Sequence, residues 1–282
     1  MLDAVNTWAD YRSKVREFDA ILEYAKAVSQ SLIGATPPSR HAGYGAQIFF
    51  KLLSHSIVLR RLATDPNSRE AAELWEVPSL SAVARCVVEA HDAFEYVAGH
   101  DVGEPEREFR LLLWELHDKA RRLKMLGDIG SRDPLIAGFR ADTQRLQADL
   151  GSHEFLATLP AELQAELRRR LARGDPPAFH LSQRQRCALS GVNADWHNVV
   201  TMQLSQYAHT LPFPMQQLAQ FQADTPDGLR LMALPLLFTM SFLTRVTEKM
   251  TSLMPGRLPQ PPSRTARTMA AWRALAEQRV QG

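Results

Sequence analysis

Apolar residues recur at three- and four-residue intervals along most of the chain, and no stretch alternates apolar and polar as a half-buried strand would. The periodicity predicts helices over about 3–33, 43–63, 79–99, 105–127, 134–150, 160–173, 194–210, 226–253 and 264–280. The expected fold is therefore all-α: a multi-helix bundle over residues 1–254, a Pro-rich linker over 255–263 and an additional C-terminal helix over 264–282. Asp133-Pro134 and Thr225-Pro226 each set a capping side chain ahead of a proline at the first helical position, where the missing N–H costs nothing. Gly99, Gly127, Gly151 and Gly174 fall where helices are expected to stop. Gly34 to Arg40, Asp65 to Pro78, Gly174 to Ala178 and Pro212 to Pro214 read as loops.

The most apolar run, Leu229 to Leu243, is interrupted by Arg230 and Pro235. It is shorter than the roughly 20 residues a spanning helix needs, so a buried core helix and no membrane partner are expected. Residues 1–6 carry an acid and no apolar stretch, so no signal peptide is expected. Charge changes the picture little: 33 Lys and Arg stand against 31 Asp and Glu, a net +2 that gives no global reason to expect nucleic acid. Cys86 and Cys187 suit neither a disulfide framework nor a metal site, which points to a reducing compartment and the cytoplasm. In the last helix Arg264, Arg267, Arg273 and Arg279 outnumber the acids, as on a solvated surface helix or one that docks on a partner.

Two helices concentrate polar residues on one face. At about 100° per residue, Ser81, Arg85, Glu89, Asp92 and Tyr96 form a narrow stripe on an otherwise apolar or small-residue helix. Such a stripe faces either water, as an ordinary i,i+4 ion pair, or an internal cleft in which Arg85 and Glu89 are buried together. On the helix at 194–210, Trp196, Val200, Leu204, Tyr207 and Leu211 form an apolar face, and Asn198, Thr201, Ser205 and His209 a polar one. A hydroxyl beside an imidazole is not a nucleophile without an orienting group and an oxyanion site, and no Gly-x-Ser-x-Gly elbow occurs.

Other chemistry is incompletely written. Glu89-Ala90-His91-Asp92 echoes Glu115-Leu116-His117-Asp118, but Glu and His two apart diverge by about 200° on a helix and cannot share a metal. His55, His91-Asp92 and Asp142 give a loose His…His-Asp…Asp phosphohydrolase pattern. Arg85 to His91 and Arg110 to His117 fit the loose Arg-to-His spacing of HEPN-type helical ribonucleases, although Cys86 and Leu111 replace the polar residue those enzymes place after the arginine. No phosphate-binding loop, zinc-finger spacing or His-Glu-x-x-His is present.

Leu80 to Ala90, Glu106 to Met125 and Leu204-Ser205-Gln206-Tyr207-Ala208-His209 resemble a bacterial family of helical proteins defined only as a domain of unknown function. That family shows an Arg-x-x-x-Glu helix, an amphipathic helix after it, and a Leu-Ser-x-x-x-His element near a tyrosine-rich helix. The resemblance spans about 40–215 and departs where an aromatic precedes Leu-Ser, here Met202 or Val200 with Trp196 further upstream. It implies that Arg85, Glu89, Ser205 and His209 are neighbours in one polar cleft.

With Glu115 added, these residues make the expected buried cluster: Arg85, Glu89, Glu115, Ser205 and His209. The leading expectation is a non-catalytic interaction or ligand-sensing module whose cluster fixes the bundle or binds a small anionic group through Arg85. Its partner would be another protein or a second copy, and neither cofactor nor metal is expected. The alternative is a HEPN-like ribonuclease toxin or defence component acting on RNA through Arg85 with His209 or His91, and a third is a metal-dependent phosphohydrolase.

Overall fold

A computed structural model describes residues 5–63, 76–209, 211–222, 225–254, 256 and 258–278. The start of the chain (1–4), most of the expected 65–78 loop, Pro255 and Arg257 of the linker, and Arg279 lie outside the described residues. Among the described residues there are twelve α-helices and no strand, so the protein is all-α.

The chain divides into two compact units, residues 1–95 with 187–282, and residues 96–186. One bundle over 1–254 was the expectation; the division follows from two separate apolar cores.

The first unit contains α1 (Trp8–Ser31), α2 (Arg40–Leu62), α3 (Val77–Phe94), α9 (Ala194–Ala208), α10 (Pro212–Gln220), α11 (Pro226–Leu253) and α12 (Ser263–Glu277). Its centre is α11, which packs against α1, α2, α3 and α12. At 28 residues α11 is long and apolar enough to cross a membrane by composition, but its apolar window is 83% buried within the protein. The helix outlasts the apolar run read from sequence because Thr225 caps its start, its Oγ1 accepting from the Gly228 N–H at 3.2 Å. Two of its buried threonines are satisfied locally: Thr239 and Thr247 donate to the Pro235 and Leu243 carbonyls at 2.9 and 2.7 Å.

α12 docks on this core and is not a detached tail. Thr265, Met269, Trp272 and Ala276 are its buried face, a spacing that makes one helical stripe, and the arginines occupy the other side. Trp272 Nε1 donates to Glu17 of α1 at 2.9 Å, and its carbonyl accepts from Ser241 of α11 at 2.7 Å.

The second unit holds α4 (Glu104–Asp128), α5 (Leu135–Ser152), α6 (Glu154–Thr158) and α7 (Ala161–Ala172), together with the first residues of α8 (Gln183–Ser190). Phe109, Leu112, Leu113, Leu116, Leu146, Leu150, Leu156, Leu167 and Leu171 form its core. The expected stop at Gly127 falls inside α4, which ends instead at Gly130 in the left-handed conformation (φ 62°), with Ser131 N–H bonded to the Leu126 carbonyl at 2.9 Å. Gly174 ends α7 in the same manner (φ 69°). Short helices α6, α8 and α10 were not expected; α10 begins at Pro212, where proline starts a helix as readily as it sits in a loop.

Replacing Trp272 by alanine is expected to cost about 3 kcal/mol, because a buried indole and its hydrogen bond to Glu17 are lost together. Urea unfolding followed by circular dichroism measures this, and a loss below about 1 kcal/mol would show that α12 contributes little to the core.

Candidate functional site

The two polar stripes meet. α3 packs against α9, and Arg85 Nε donates to Ser205 Oγ at 3.2 Å while Asp92 Oδ1 receives His197 Nε2 at 2.9 Å. Seven residues forward on α3 match eight backward on α9, so the helices run antiparallel with their polar faces in register. Arg85 also reaches Glu89 through Nη2 at 3.1 Å, and the two side chains are 24% and 61% exposed. The cluster is thus a half-open seam and not a buried one, because Glu89 lies at its rim. Arg85, Glu89 and Ser205 are brought together. His209 is exposed at the C-cap of α9, where its backbone N–H bonds Ser205 O at 3.1 Å; its imidazole joins none of the three among the described residues. Glu115 is on α4, in the other unit.

His55 of α2 lies within electrostatic reach of Glu89. Burial, assisted by Lys51, holds its imidazole pKa below the ordinary value against the pull of Glu89. Its Nε2 is buried without a hydrogen-bond partner.

Deeper along α3 lies a second network that sequence reading largely missed. One carboxylate oxygen of Asp92 accepts from His197 Nε2 and from His91 Nδ1, the latter at 3.2 Å. His197 Nδ1 is then the acceptor for the Thr201 hydroxyl at 3.3 Å. Burial alone would raise the Asp92 pKa, but the two imidazole hydrogen bonds outweigh it and hold the carboxyl well below the usual range. Next on α3, buried Glu95 accepts from Lys249 of α11 at 2.6 Å. His91 Nε2 and Glu95 Oε1 stand 3.8 Å apart, neither hydrogen-bonded. Phe242 of α11 packs edge-on against both imidazole rings. The missed signal was register: once Arg85 faces Ser205, antiparallel helices bring Asp92 opposite His197.

The second unit has its own buried polar group. Arg110 is fully buried, donating to Glu106, to the Tyr96 carbonyl at 3.2 Å and to His100 Nδ1 at 2.8 Å, and its guanidinium lies over the Tyr96 ring. The Tyr96 hydroxyl pairs with His180 Nδ1 at 2.8 Å. Burial, with the Arg110 charge adding to it, lowers the His180 pKa to about 3. Tyr96 begins the second unit within a π-helical turn, Glu95–Gly99, that continues α3.

These positions decide what the loose motifs can do. Arg110 is enclosed by its partners, and His117 Nδ1 is bonded to the Pro176 carbonyl at 2.9 Å, so that pair presents no open Arg–His couple. His91 is likewise internal. Of the phosphohydrolase pattern, Asp142 pairs with Lys119 at 3.0 Å on α5 of the second unit, while His91 and Asp92 are consumed within the first. Among the described residues no three His, Cys, Asp or Glu side chains are grouped to hold a metal ion. No protein-family model, curated protein or solved structure matches the chain.

Asp92→Ala is expected to destabilise the protein by about 3 kcal/mol, since it strands two buried imidazoles; urea unfolding reads the loss, and a change under about 0.5 kcal/mol would deny the network its role. His180 gives a pH signature. Its folded pKa of about 3 lies below the unfolded value of about 6.5, so the unfolded chain binds the extra proton between them. The stability this provides is complete above pH ~6.5 and is lost as pH falls toward the folded value, with a slope approaching about 1.4 kcal/mol per pH unit. Equilibrium unfolding of wild type and His180→Phe from neutral to moderately acidic pH should show a shallower slope in the variant; parallel slopes would contradict the assignment.

Proposed function

We propose that the protein is a helical ligand-sensing module whose α3–α9 seam recognises a small anionic group through Arg85. The observation that carries this reading is the state of that guanidinium. Its Nε and Nη2 are held by Ser205 and Glu89, its side chain is partly open to solvent, and among the described residues no hydrogen bond occupies Nη1. A guanidinium fixed at two nitrogens is pre-organised for an incoming oxyanion, which loses less entropy on binding than a free arginine would impose. His91 and Asp92 further along α3, with Glu95 just after it, are internal and held by hydrogen bonds, so they support the geometry of the seam.

A ribonuclease-like reading draws on one feature, the exposed His209 a helical turn beyond Ser205, where it could serve a phosphate held by Arg85.

Inorganic phosphate, titrated against the purified protein in a thermal-unfolding assay, should raise the melting temperature of the wild type in a saturable manner and leave a folded Arg85→Ala variant unchanged. An equal response from both proteins overturns the reading. RNA cleavage by the wild type that both Arg85→Ala and His209→Ala abolish would replace it with the nuclease.

A further inference from the structure

The hairpin of α4 and α5 ends in a tip that the protein does not cover. The two helices pack on one another, yet no residue from 117 to 145 is buried. Around the turn between them, Met125 is 61% exposed, Ile129 77% and Leu135 64%. Met125 and Ile129 lie one helical turn apart on one side of α4, and Gly130, in the left-handed conformation, turns the chain sharply toward α5. Three large aliphatic side chains exposed around one turn contribute little burial to the fold and leave an apolar surface open to a partner.

Charge identifies the surface they fit. Between residues 117 and 145, seven Lys and Arg stand against four Asp, a net +3, whereas the whole chain carries +2. The tip is thus basic in its own right. Asp128 is engaged by Lys124 at 3.6 Å and Asp133 accepts from the Leu135 N–H at 2.8 Å, while Arg132 and Arg140 enter no ion pair among the described residues. At a rise of about 1.5 Å per residue, Lys124 and Arg140 sit roughly 7 Å behind Ile129 and Leu135 along their helices. That spacing puts the cations at headgroup depth when the aliphatic tip enters the outer edge of the acyl layer, which peripheral elements penetrate by about 5–10 Å.

We propose that the α4–α5 tip docks on an anionic lipid surface, inserting Met125, Ile129 and Leu135 between headgroups held by the surrounding lysines and arginines. A nucleic-acid backbone would use the cations but not the aliphatic tip, whereas an anionic lipid surface uses both. The expectation of no membrane partner came from the lack of a spanning segment, which a peripheral contact does not need. This inference is independent of the anion site at Arg85.

The test is sedimentation of the full chain with vesicles of phosphatidylcholine, with and without about a third phosphatidylserine, at low and raised salt. Binding to the anionic vesicles alone is expected, weakening with salt. Ile129→Glu with Leu135→Glu should reduce it at least about tenfold, and so should Arg132→Glu with Arg140→Glu, since each charge near the surface counts substantially. These residues are exposed, so circular dichroism should show both variants folded. No binding to anionic vesicles overturns the proposal. So does binding that the two variants leave unchanged, or a tip that instead captures RNA or mediates self-association without lipid.

Discussion

The carboxylate of Asp92 accepts hydrogen bonds from histidines on two faces of its surroundings, one from its own helix and one from α9. A carboxylate largely removed from water is tolerable only with such partners, so this position fixes how α3 and α9 lie together. Two helical turns away, the same register sets Arg85 on Ser205. On the opposite flank Glu95 binds Lys249, tying α3 to α11 by charge as well as by packing. The open chemistry of the seam is thus placed by closed chemistry beneath it.

α11 shows the complementary solution to burying polar atoms. Thr239 and Thr247 return their hydroxyls to carbonyls one turn back, which lets a helix carrying polar residues be enclosed on nearly every side. Arg245 escapes the same difficulty by reaching Glu277 of α12 at 2.9 Å and the Ser190 carbonyl, which makes the last helix part of the lining of the core.

The helical class and the two polar faces were legible because period and face are local properties of a sequence. Arg85, Glu89, Ser205 and His209 were all found on that basis and grouped by the resemblance, with Glu115 added to them. Neither face nor motif says which helices pack or where a helix ends: Glu115 belongs to the 96–186 unit and His209 to an exposed helix end. His197 was passed over because, taken alone, it falls between the apolar and polar faces of α9; its role exists only once α3 is opposite. The docking of α12 was visible in the spacing of Thr265, Met269, Trp272 and Ala276, but the arginine count describes the broad outer face and not the narrow inner one. Two cores could not be separated from one by periodicity, since the helices lining both show the same apolar period.

The first unit is discontinuous in sequence, with residues 96–186 interposed between its halves. On a ribosome, α1, α2 and α3 emerge able to pack on one another but without the helix that closes their core, while the interposed segment already owns all the residues of its own. α11, that closing helix, follows α3 by more than a hundred residues. At a synthesis rate of about 5–20 residues per second, that is a wait of roughly ten seconds. During it the faces of α1, α2 and α3 that α11 covers in the finished fold lack their partner, and the nascent first half depends on whatever shields such surfaces in the cell until α11 arrives.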